Sequence, residues 1–472
     1  MKMNARSSKG RGILNRINNT RRDFLKSLGA VTLGGLSTFA LPKPAQARGA
    51  AKDLLSSLKA RQSAGVTDEL YWWFIRSQFL LDPEIIYMNT GTEGSMPRTV
   101  LNNLLTYSRR FTQNPYEAIV FDEELMLRQE YNCECVGTMM GATLDELTLT
   151  TNTTDGLHLA VHGLDFEAGD EILTTLHEHD ALLSPLCVLR DRKGVVLKEL
   201  ALPTPATSKD EIVDIFSNGI TDKTKAMCFC HINYTTGLRM PVNELCELAS
   251  SNGLISIVDG AHSMGMIDFN LHEMGCDFYA CPGHKWLNGP PGTGIFYVKD
   301  STNNPHNLWP LLTEGYGIID WWPIARVLQL RGQENTPALT AMQDAIEFYE
   351  AIGKQKVESR ILSLSNYLKE KVVENWGEEN LLSPRNNDGL STGLVAFTPY
   401  KNPEDKYSRD SASAIYNALK DNYKIYIRSV SYKDKETHEN STTAIRVSTH
   451  IFNSFQEIDT LVDALTEITA EL

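Results

Sequence analysis

The succession of apolar and polar segments predicts an α/β region in the middle of this 472-residue chain. Short, unbroken apolar runs recur there, and each run ends at a loop that carries polar residues. Runs of this kind, rich in β-branched residues, are typical of parallel strands buried on both faces. Ligands of open α/β sheets lie at the carboxyl ends of the strands, so polar residues at those ends are candidate site residues. The segments predicted as strands are 147–150, 170–175, 225–231, 254–258, 277–280 and 294–298.

Different patterns flank this region. Residues 53–81 are predicted to be helical, and a short strand with a glycine-containing turn follows at 85–97. One long amphipathic helix is predicted from Ala341 to about Glu374. The segments 393–398, 424–430 and 443–449 are predicted strands that alternate with helices, which indicates an α+β domain. The predicted organisation is a leader at 1–47, a helical segment with an active-site turn at 48–98, a large α/β domain at 99–340 and a small α+β domain at 341–472.

The N-terminus has the features of an export signal. Arg21 and Arg22 lie in the sequence TRRDFLK, and a mildly apolar stretch covers residues 28–41. That stretch is too short and too rich in glycine to span a bilayer. Ala45-Gln46-Ala47 is a small-x-small cleavage site, so the mature chain is predicted to begin at Arg48. The sequence therefore predicts twin-arginine export, with the twin-arginine translocase as a partner, a periplasmic location and no membrane anchor after cleavage.

The charge balance excludes two classes of partner. The chain carries 45 Lys and Arg against 59 Asp and Glu, a net charge of −14. Residues 1–47 hold nine of the basic residues and one Asp, so the remainder has 36 basic and 58 acidic residues and a net charge of −22. Such an acidic protein is not expected to bind nucleic acid or an anionic membrane.

The eight cysteines allow two interpretations. An exported protein can form disulfides, and one disulfide is left open. Cys133 and Cys135 are too close in sequence to bridge without strain, and so are Cys228 and Cys230. Several of the others lie in apolar, strand-like runs. Buried free thiols are therefore the favoured interpretation.

The chemistry is concentrated at the ends of two of the predicted strands. Asp259 and His262 follow the run at 254–258, and Lys285 follows the run at 277–280 in the sequence CPGHKW. Asp259 alone would indicate a turn residue, and Lys285 alone would indicate a solvated lysine. Together, an acid and a lysine suit pyridoxal 5′-phosphate, which needs a proton on its ring nitrogen and an amine on its aldehyde.

The sequence VDGAHS followed by GHKW resembles the class V aminotransferase fold, which includes cysteine desulfurases, isopenicillin N epimerase and kynureninase. The resemblance extends over most of the chain after the leader. It implies a type I, class V pyridoxal-phosphate-dependent transferase fold, with a mostly parallel sheet in the large domain. It also implies that Lys285 is the Schiff-base lysine, Asp259 the pyridinium partner and His262 a donor to the ring hydroxyl. His284 is implied to lie near the phosphate.

Three further segments add candidate residues to this site. Thr153 and Thr154 follow the first strand and begin a helix, where free N–H groups bind phosphate, although ordinary helix capping is the competing interpretation. The resemblance implies that His179 stacks on the cofactor ring. The turn with Asn89 resembles the N-terminal signature of isopenicillin N epimerase-like proteins and is implied to border the active site.

A metal site is the alternative for the histidines. His177-x-His179 and His158-x-x-x-His162 have chelate spacings, but no carboxylate or thiol at a suitable spacing completes a ligand set. The sequence therefore predicts no metal.

Two departures from the family pattern affect the cofactor contacts. Tyr234 lies where the family has Asn or a small polar residue, so the contact is left open between Asn233 and Tyr234. Pro282 replaces a phosphate-binding Ser, so more of the phosphate contacts must come from elsewhere. Asn335 and Thr336 match the family segment that reaches the phosphate of a neighbouring subunit, which predicts a homodimer.

Arg446, in the sequence RVSTHIFN, matches the family's carboxylate-binding arginine. A guanidinium pairs with both oxygens of a carboxylate, so the predicted substrate is an amino acid or a derivative of one. Asn89 and Tyr234 are predicted to contact the same substrate.

The predicted activity is a reaction at the α-carbon of that substrate, of the epimerase or aminotransferase type. Residues 431–443 contain no cysteine, which argues against sulfur transfer through a persulfide. The alternatives are a periplasmic enzyme that modifies a secreted peptide such as a siderophore side chain, a C–S lyase, and a binding protein without catalysis.

Overall fold

A seven-stranded sheet lies at the centre of the molecule, in the order β2-β8-β7-β6-β5-β3-β4. Within it β8 runs antiparallel to β2 and β7, while the other neighbouring strands are parallel. The strands are β2 (Leu147–Thr150), β3 (Glu171–Thr175), β4 (Val196–Leu200), β5 (Thr224–Cys230), β6 (Ile255–Asp259), β7 (Phe278–Pro282) and β8 (Gly294–Val298). The predicted class, an α/β fold with a mostly parallel sheet, is confirmed.

The computed structural model describes residues 44–61, 68–116, 134–385, 389–400, 409–433 and 440–471. The twin-arginine sequence and the apolar stretch at 28–41 lie outside these residues. The predicted cleavage site falls in the first turns of the first described helix, α1 (Pro44–Ala60). None of the described helices combines the length and apolarity that crossing a membrane requires.

Helices cover both faces of the central sheet, and side-chain caps begin several of them. Asn152 accepts from Asp155 N at the start of α4 (Thr153–Gly163), and Ser208 accepts from Glu211 N at the start of α6 (Lys209–Gly219). The helices up to β8 are α2 (Glu69–Arg76), α3 (Arg98–Gln113), a helical stretch at 134–140, α4 (Thr153–Gly163), α5 (Asp180–Lys193), α6 (Lys209–Gly219), α7 (Val242–Ser251) and α8 (Leu271–Met274).

The C-terminal part forms a second core around a small antiparallel sheet, ordered β11-β12-β9. Its core also includes Ile86 and Met88, because β1 (Ile86–Tyr87) pairs with β10 (Ile425–Tyr426). The predicted α+β architecture of this part is present. Its elements, with the helices that precede them, are α9 (Ile324–Gln329), α10 (Thr336–Ile352), α11 (Lys354–Trp376), β9 (Leu394–Phe397), α12 (Arg409–Ala418), β11 (Arg428–Lys433), β12 (Asn440–Ser448) and α13 (Phe455–Glu471). The domain boundaries at 98 and 340 stay predictions.

Two helix predictions were wrong in extent. The helix predicted from Ala341 to Glu374 is two helices, α10 and α11, because Gly353 between them has a φ of 99°, outside the helical region. The helical segment predicted at 53–81 is also divided, since Asp68 begins a new helix by accepting from Leu70 N and Tyr71 N. That helix ends at Arg76, so residues 77–81 are not helical.

No disulfide joins any two of the seven cysteines in the described residues, as favoured from the sequence, and five of the seven are buried. Cys133 lies outside the described residues. Burial raises the pKa of Cys246 to about 12, which leaves this thiol protonated and unreactive at neutral pH.

Candidate active site

A cavity of about 230 Å³ opens at the carboxyl edge of the central sheet. Strands β6 and β7 are parallel neighbours, so their ends meet there, and the loops after them deliver Asp259 and Lys285 to the same space. The predicted site residues that line the cavity are Thr153, Thr154, His179, Tyr234, Asp259, His262, His284, Lys285 and Arg446. The structure therefore brings together residues that are separated by nearly 300 positions in the chain.

Lys285 supplies an amine to this cavity, and the pKa of this amine is lower than usual. Burial lowers its pKa to about 8, the nearby guanidinium groups of Arg446 and Arg428 act in the same direction, and the carboxylate of Asp259 opposes them. A pKa in this range provides a useful fraction of neutral, nucleophilic amine near neutral pH.

Asp259 is buried at the end of β6, and one of its oxygens accepts from Ala261 N at 2.8 Å. Burial raises the pKa of this carboxyl group, while the Ala261 N–H and the charge of Lys285 lower it. A buried carboxylate of this kind gains most from a protonated ring nitrogen placed beside it.

His262 is held in one tautomer by the loop that follows Lys285. The indole N–H of Trp286 donates to Nδ1 of His262 at 3.1 Å, so the remaining ring proton lies on Nε2. Burial holds the pKa of His262 well below its usual range, and this ring is therefore neutral. A neutral imidazole with its N–H at Nε2 can donate a hydrogen bond into the cavity.

The start of α4 forms one wall of the cavity. The Asn152 side chain caps the helix, and the first-turn N–H groups of Thr153 and Thr154 have no carbonyl partner within the helix. The helix can approach the sheet because Gly156 has no side chain; a Cβ there would lie 2.8 Å from Cβ of Ala280. Nδ1 of His284 is buried and has no hydrogen-bond partner among the residues that the structure describes, so a ligand oxygen would satisfy it. These groups are suited to a phosphate.

His179 and Tyr234 also line the cavity. His179 is the N-cap of α5, where its Nδ1 accepts from Ala181 N at 3.1 Å, and this contact fixes the ring. Its ring centroid lies 5.0 Å from that of Tyr234 in an edge-to-face arrangement. The side chain of Asn233 is used differently: its Oδ1 accepts from Thr235 N and Thr236 N, and Asn233 is not part of the cavity lining. Of the two residues left open by the sequence, Tyr234 is therefore the one at the cavity.

Arg446 is buried, and the turn at 89–92 orients it. It donates to Tyr234 O at 2.8 Å and makes long contacts with Asn89 Oδ1 at 3.5 Å and Thr92 Oγ1 at 3.4 Å. Its Nε is buried and has no hydrogen-bond partner in the described part of the chain, so its N–H is available to a ligand. Asn89 thus contacts the arginine and does not line the cavity itself.

The glycines of this turn serve close packing within the protein. A Cβ at Gly91 would lie 3.0 Å from Nη2 of Arg446, and a Cβ at Gly94 would lie 2.0 Å from the carbonyl oxygen of Lys285. Gly94 N donates to His284 O at 2.8 Å, which ties the turn to the lysine loop. The sequence indicated close approach to a ligand; Gly91 does line the cavity, whereas Gly94 packs against the backbone beside Lys285.

Asn335 and Thr336 do not line the cavity. Asn335 is exposed and caps α10 by accepting from Ala338 N at 3.3 Å. Their predicted role, contact with the phosphate of a neighbouring subunit, stays a prediction.

Two ionisable residues, one in the cavity lining and one adjacent in sequence to His179, were not predicted from the sequence. Arg428 lines the cavity from β11. Its only signal was an arginine within a predicted strand, and the strand pairing that places it beside Arg446 cannot be read from local pattern.

The second is Glu178, which is buried between β3 and α5. Thr175 Oγ1 donates to its Oε1 at 2.7 Å, while Oε2 has no partner within the described residues. Burial raises the pKa of Glu178 to about 8, and the charge of Asp259 contributes to that rise. This side chain is therefore mainly a neutral acid at neutral pH. In the sequence, its neighbours His177 and His179 have the spacing of a metal chelate, and no pattern singles out the acid between them.

The cavity can be assessed for the cofactor and for a metal. Pyridoxal phosphate fits the residues present, since the cavity contains an amine, a buried carboxylate, an N–H donor and a helix start with an unsatisfied imidazole nitrogen. In the described part of the chain, no cluster of three or more His, Cys, Asp or Glu side chains has the geometry of a metal site.

Comparisons with known proteins agree with this site. The chain matches the family described as Aminotransferase class-V over residues 86–461. It is 27% identical to the isopenicillin N epimerase of Streptomyces clavuligerus, over 85% of this chain and 99% of the relative. It is 26% identical to a probable cysteine desulfurase of Pyrococcus abyssi, over 84% of this chain and 98% of the relative. The apo structure of a cysteine desulfurase from Thermococcus onnurineus superposes with a TM-score of 0.71 at 24% identity, covering 84% of this chain and 98% of the other.

A fold and a cavity of this kind define a pyridoxal-phosphate-dependent enzyme of type I. The chain belongs to the class V aminotransferase family. These findings confirm four predictions: the family, the epimerase-like resemblance, an enzymatic function and pyridoxal phosphate as the cofactor. The export signal and the homodimer stay predictions.

Proposed function

We propose that this protein is an exported enzyme that acts at the α-carbon of an amino acid or an amino-acid derivative, by epimerisation or amino-group transfer. The observation that carries the proposal is the convergence of Lys285, Asp259 and Arg446 on one cavity. An amine, an acid and a carboxylate-binding guanidinium are the groups that this chemistry requires.

Each of these residues has a distinct task in the proposal. Pyridoxal phosphate, when bound, supplies an aldehyde for the substrate amine and a ring that accepts electrons from the α-carbon. Asp259 holds the ring nitrogen protonated, and His262 donates to the ring hydroxyl through Nε2–H. Thr153, Thr154 and His284 hold the phosphate.

The substrate is positioned and deprotonated by two basic side chains. Arg446 binds its carboxylate with the Nε–H, which has no partner among the described residues, and with the terminal nitrogens, which fixes the orientation of the α-carbon. Lys285 moves the proton at that carbon; its pKa of about 8 allows the amine to accept a proton and to return it near neutral pH.

Product analysis in deuterated water tests the reaction type. The purified enzyme, loaded with pyridoxal phosphate, is incubated with a panel of L- and D-amino acids and the products are separated by chirality and mass. Deuterium at the α-carbon with inversion supports an epimerase, and formation of a keto acid that keeps the complete side chain of the substrate supports amino-group transfer. Loss of a side-chain group, which leaves a shortened keto acid and ammonia, would replace the proposal with a lyase. Binding without any α-exchange would replace it with a non-catalytic protein.

Export is supported by the sequence of the N-terminus alone, Arg21-Arg22 followed by an apolar stretch and a cleavage site. Replacement of both arginines with lysine should leave the precursor in the cytoplasm, folded and loaded with cofactor. Mature protein in the periplasm of that strain would contradict the route.

A homodimer is supported by an exposed apolar surface next to the segment that holds Asn335. Six large side chains of this surface have between 44% and 80% of their area exposed: Trp309, Leu311, Leu312, Tyr316, Trp321 and Trp322. Apolar side chains concentrated in this way mark a contact surface, and a second copy of the chain is the proposed occupant. Its Asn335 and Thr336 would then complete the phosphate site.

A further inference from the structure

The cavity holds two arginines where one substrate carboxylate needs one. Arg428 and Arg446 are directly opposite each other in the antiparallel pair β11–β12, and both line the cavity. Directly opposite residues of an antiparallel pair project from the same face of the sheet, and like charges in that position are destabilising. A ligand that carries negative charge would remove this repulsion.

The two guanidinium groups are close together, and no acidic side chain of the described residues pairs with either of them. Nη1 of Arg428 lies 3.2 Å from Thr92 Oγ1, and Nη2 of Arg446 lies 3.4 Å from the same oxygen. Within the described residues, neither arginine has a carboxylate at ion-pair distance. The charge of Arg428 contributes to lowering the pKa of Arg446 to about 9, after burial. The acidic residue of the cavity lining, Asp259, is assigned to the cofactor ring.

The two arginines differ in depth. Arg446 is buried, with 2% of its surface exposed, whereas Arg428 is exposed at the cavity mouth. A substrate whose α-carboxylate binds Arg446 would therefore extend its side chain past Arg428 on the way to solvent. The phosphate-binding residues Thr153 and Thr154 belong to a different wall, the start of α4.

We propose that Arg428 binds a second carboxylate on the substrate, so that the enzyme selects amino acids with an acidic side chain. This inference rests on the proposed function and names its substrate class. Arginine suits the task because its planar fork pairs with both carboxylate oxygens.

The test is a binding titration with pairs of ligands that differ in one group. Wild-type enzyme loaded with pyridoxal phosphate is titrated with aspartate and asparagine, glutamate and glutamine, and 2-aminoadipate and its side-chain amide, in both enantiomers. The change in the visible absorbance of the cofactor gives the Kd. We expect the acid of at least one pair to bind about ten- to a hundredfold more tightly than its amide. Added salt should reduce this preference.

Three variants assign the preference to Arg428. Arg428→Gln should abolish the difference between acid and amide, chiefly by weakening the acid, and Arg428→Lys should keep part of it. Arg385→Gln removes an exposed arginine that is not in the cavity lining, and it should behave as wild type. Cofactor content and circular dichroism of each variant show whether it is folded and loaded.

The outcomes separate the inference from the function on which it rests. If wild type binds amino acids but does not discriminate acid from amide, or if Arg428→Gln keeps the discrimination, the inference is wrong while the proposed function stands. If Arg428→Gln weakens the binding of acid and amide equally and also lowers the cofactor content, Arg428 would instead be assigned to the phosphate, and the inference would be overturned. If no amino acid changes the absorbance of wild type, the proposed function itself fails.

Discussion

The protonation state of Lys285 sets the first expectation at the scale of single residues. Its pKa of about 8 is lowered by burial and raised by Asp259. The neutral amine is the form that captures the cofactor aldehyde, so the rate at which cofactor-free enzyme takes up pyridoxal phosphate should rise with pH, with a midpoint near 8. Stopped-flow absorbance measures this rate.

Asp259→Asn supplies the matched variant for that measurement. Loss of the carboxylate removes the larger of the two negative charges that raise the pKa of Lys285, those of Asp259 and Glu93, so the midpoint should move to lower pH. A midpoint above 10 in wild type, or an unchanged midpoint in the variant, would contradict the electrostatic account of this cavity.

Glu178 gives a second expectation, because its folded-state pKa of about 8 exceeds the ordinary value of 4.5. Between these values the folded state binds a proton that the unfolded state has released. The contribution of Glu178 to stability is therefore complete below about pH 4.5 and is lost as the pH rises to about 8. The side chain introduced by Glu178→Gln cannot ionise. As the pH rises from 5 to 8, the melting temperature of the cofactor-free variant should therefore increase relative to that of cofactor-free wild type. A constant difference across that range would show that Glu178 is already ionised in the fold.

At the scale of elements, the turn at 89–97 contacts both Arg446 and the loop that carries Lys285, and it therefore positions both residues. Gly94→Ala would place a methyl group against the Lys285 carbonyl, and overpacking of this kind costs about 1–3 kcal/mol. We expect a lower melting temperature and faster loss of cofactor. Ser95→Ala, which removes an atom at the next position, is the control. Cofactor retention equal to that of wild type in Gly94→Ala would show that the turn can move without affecting the lysine loop.

The strand ends were predictable from the sequence, and long-range pairing was not. Asp259 and Lys285 follow buried apolar runs, and such runs indicate parallel strands wherever they occur. Arg428 belongs to the site only because β11 pairs with β12 in the register that sets it opposite Arg446. No local pattern in 424–430 contains that register.

The helix prediction at 341–374 failed for a related reason. The apolar pattern continues through Gly353, and a glycine within a helical pattern is often tolerated. Here its φ of 99° ends α10 and begins α11. The position of a glycine in the sequence does not reveal whether it adopts such a conformation. The overall fold and most of the cavity residues, in contrast, could be predicted from the family resemblance.

At the scale of the whole molecule, the proposed dimer predicts complementation between inactive chains. Lys285→Ala lacks the amine, and the double variant Asn335→Ala with Thr336→Ala lacks the predicted contacts to the neighbour's phosphate. A mixed dimer should contain one site with both sets of residues intact and should recover part of the wild-type activity. The measurement is activity after subunit exchange, with exchange verified by two affinity tags.

Two results would contradict this assembly. A mixture that stays as inactive as its parents after verified exchange would exclude a shared site. An active enzyme that sediments as a monomer at assay concentration would exclude the dimer itself.

The central claim is that Lys285 holds the cofactor in the cavity at the edge of the central sheet. Borohydride reduction of the loaded enzyme fixes the cofactor to the amine that it is bound to, and peptide mass spectrometry then identifies that residue. We predict the added mass on the peptide that contains Lys285, together with loss of the visible absorbance and of the label in Lys285→Ala. A label on another lysine, or a Lys285→Ala variant that keeps both absorbance and label, would contradict the account.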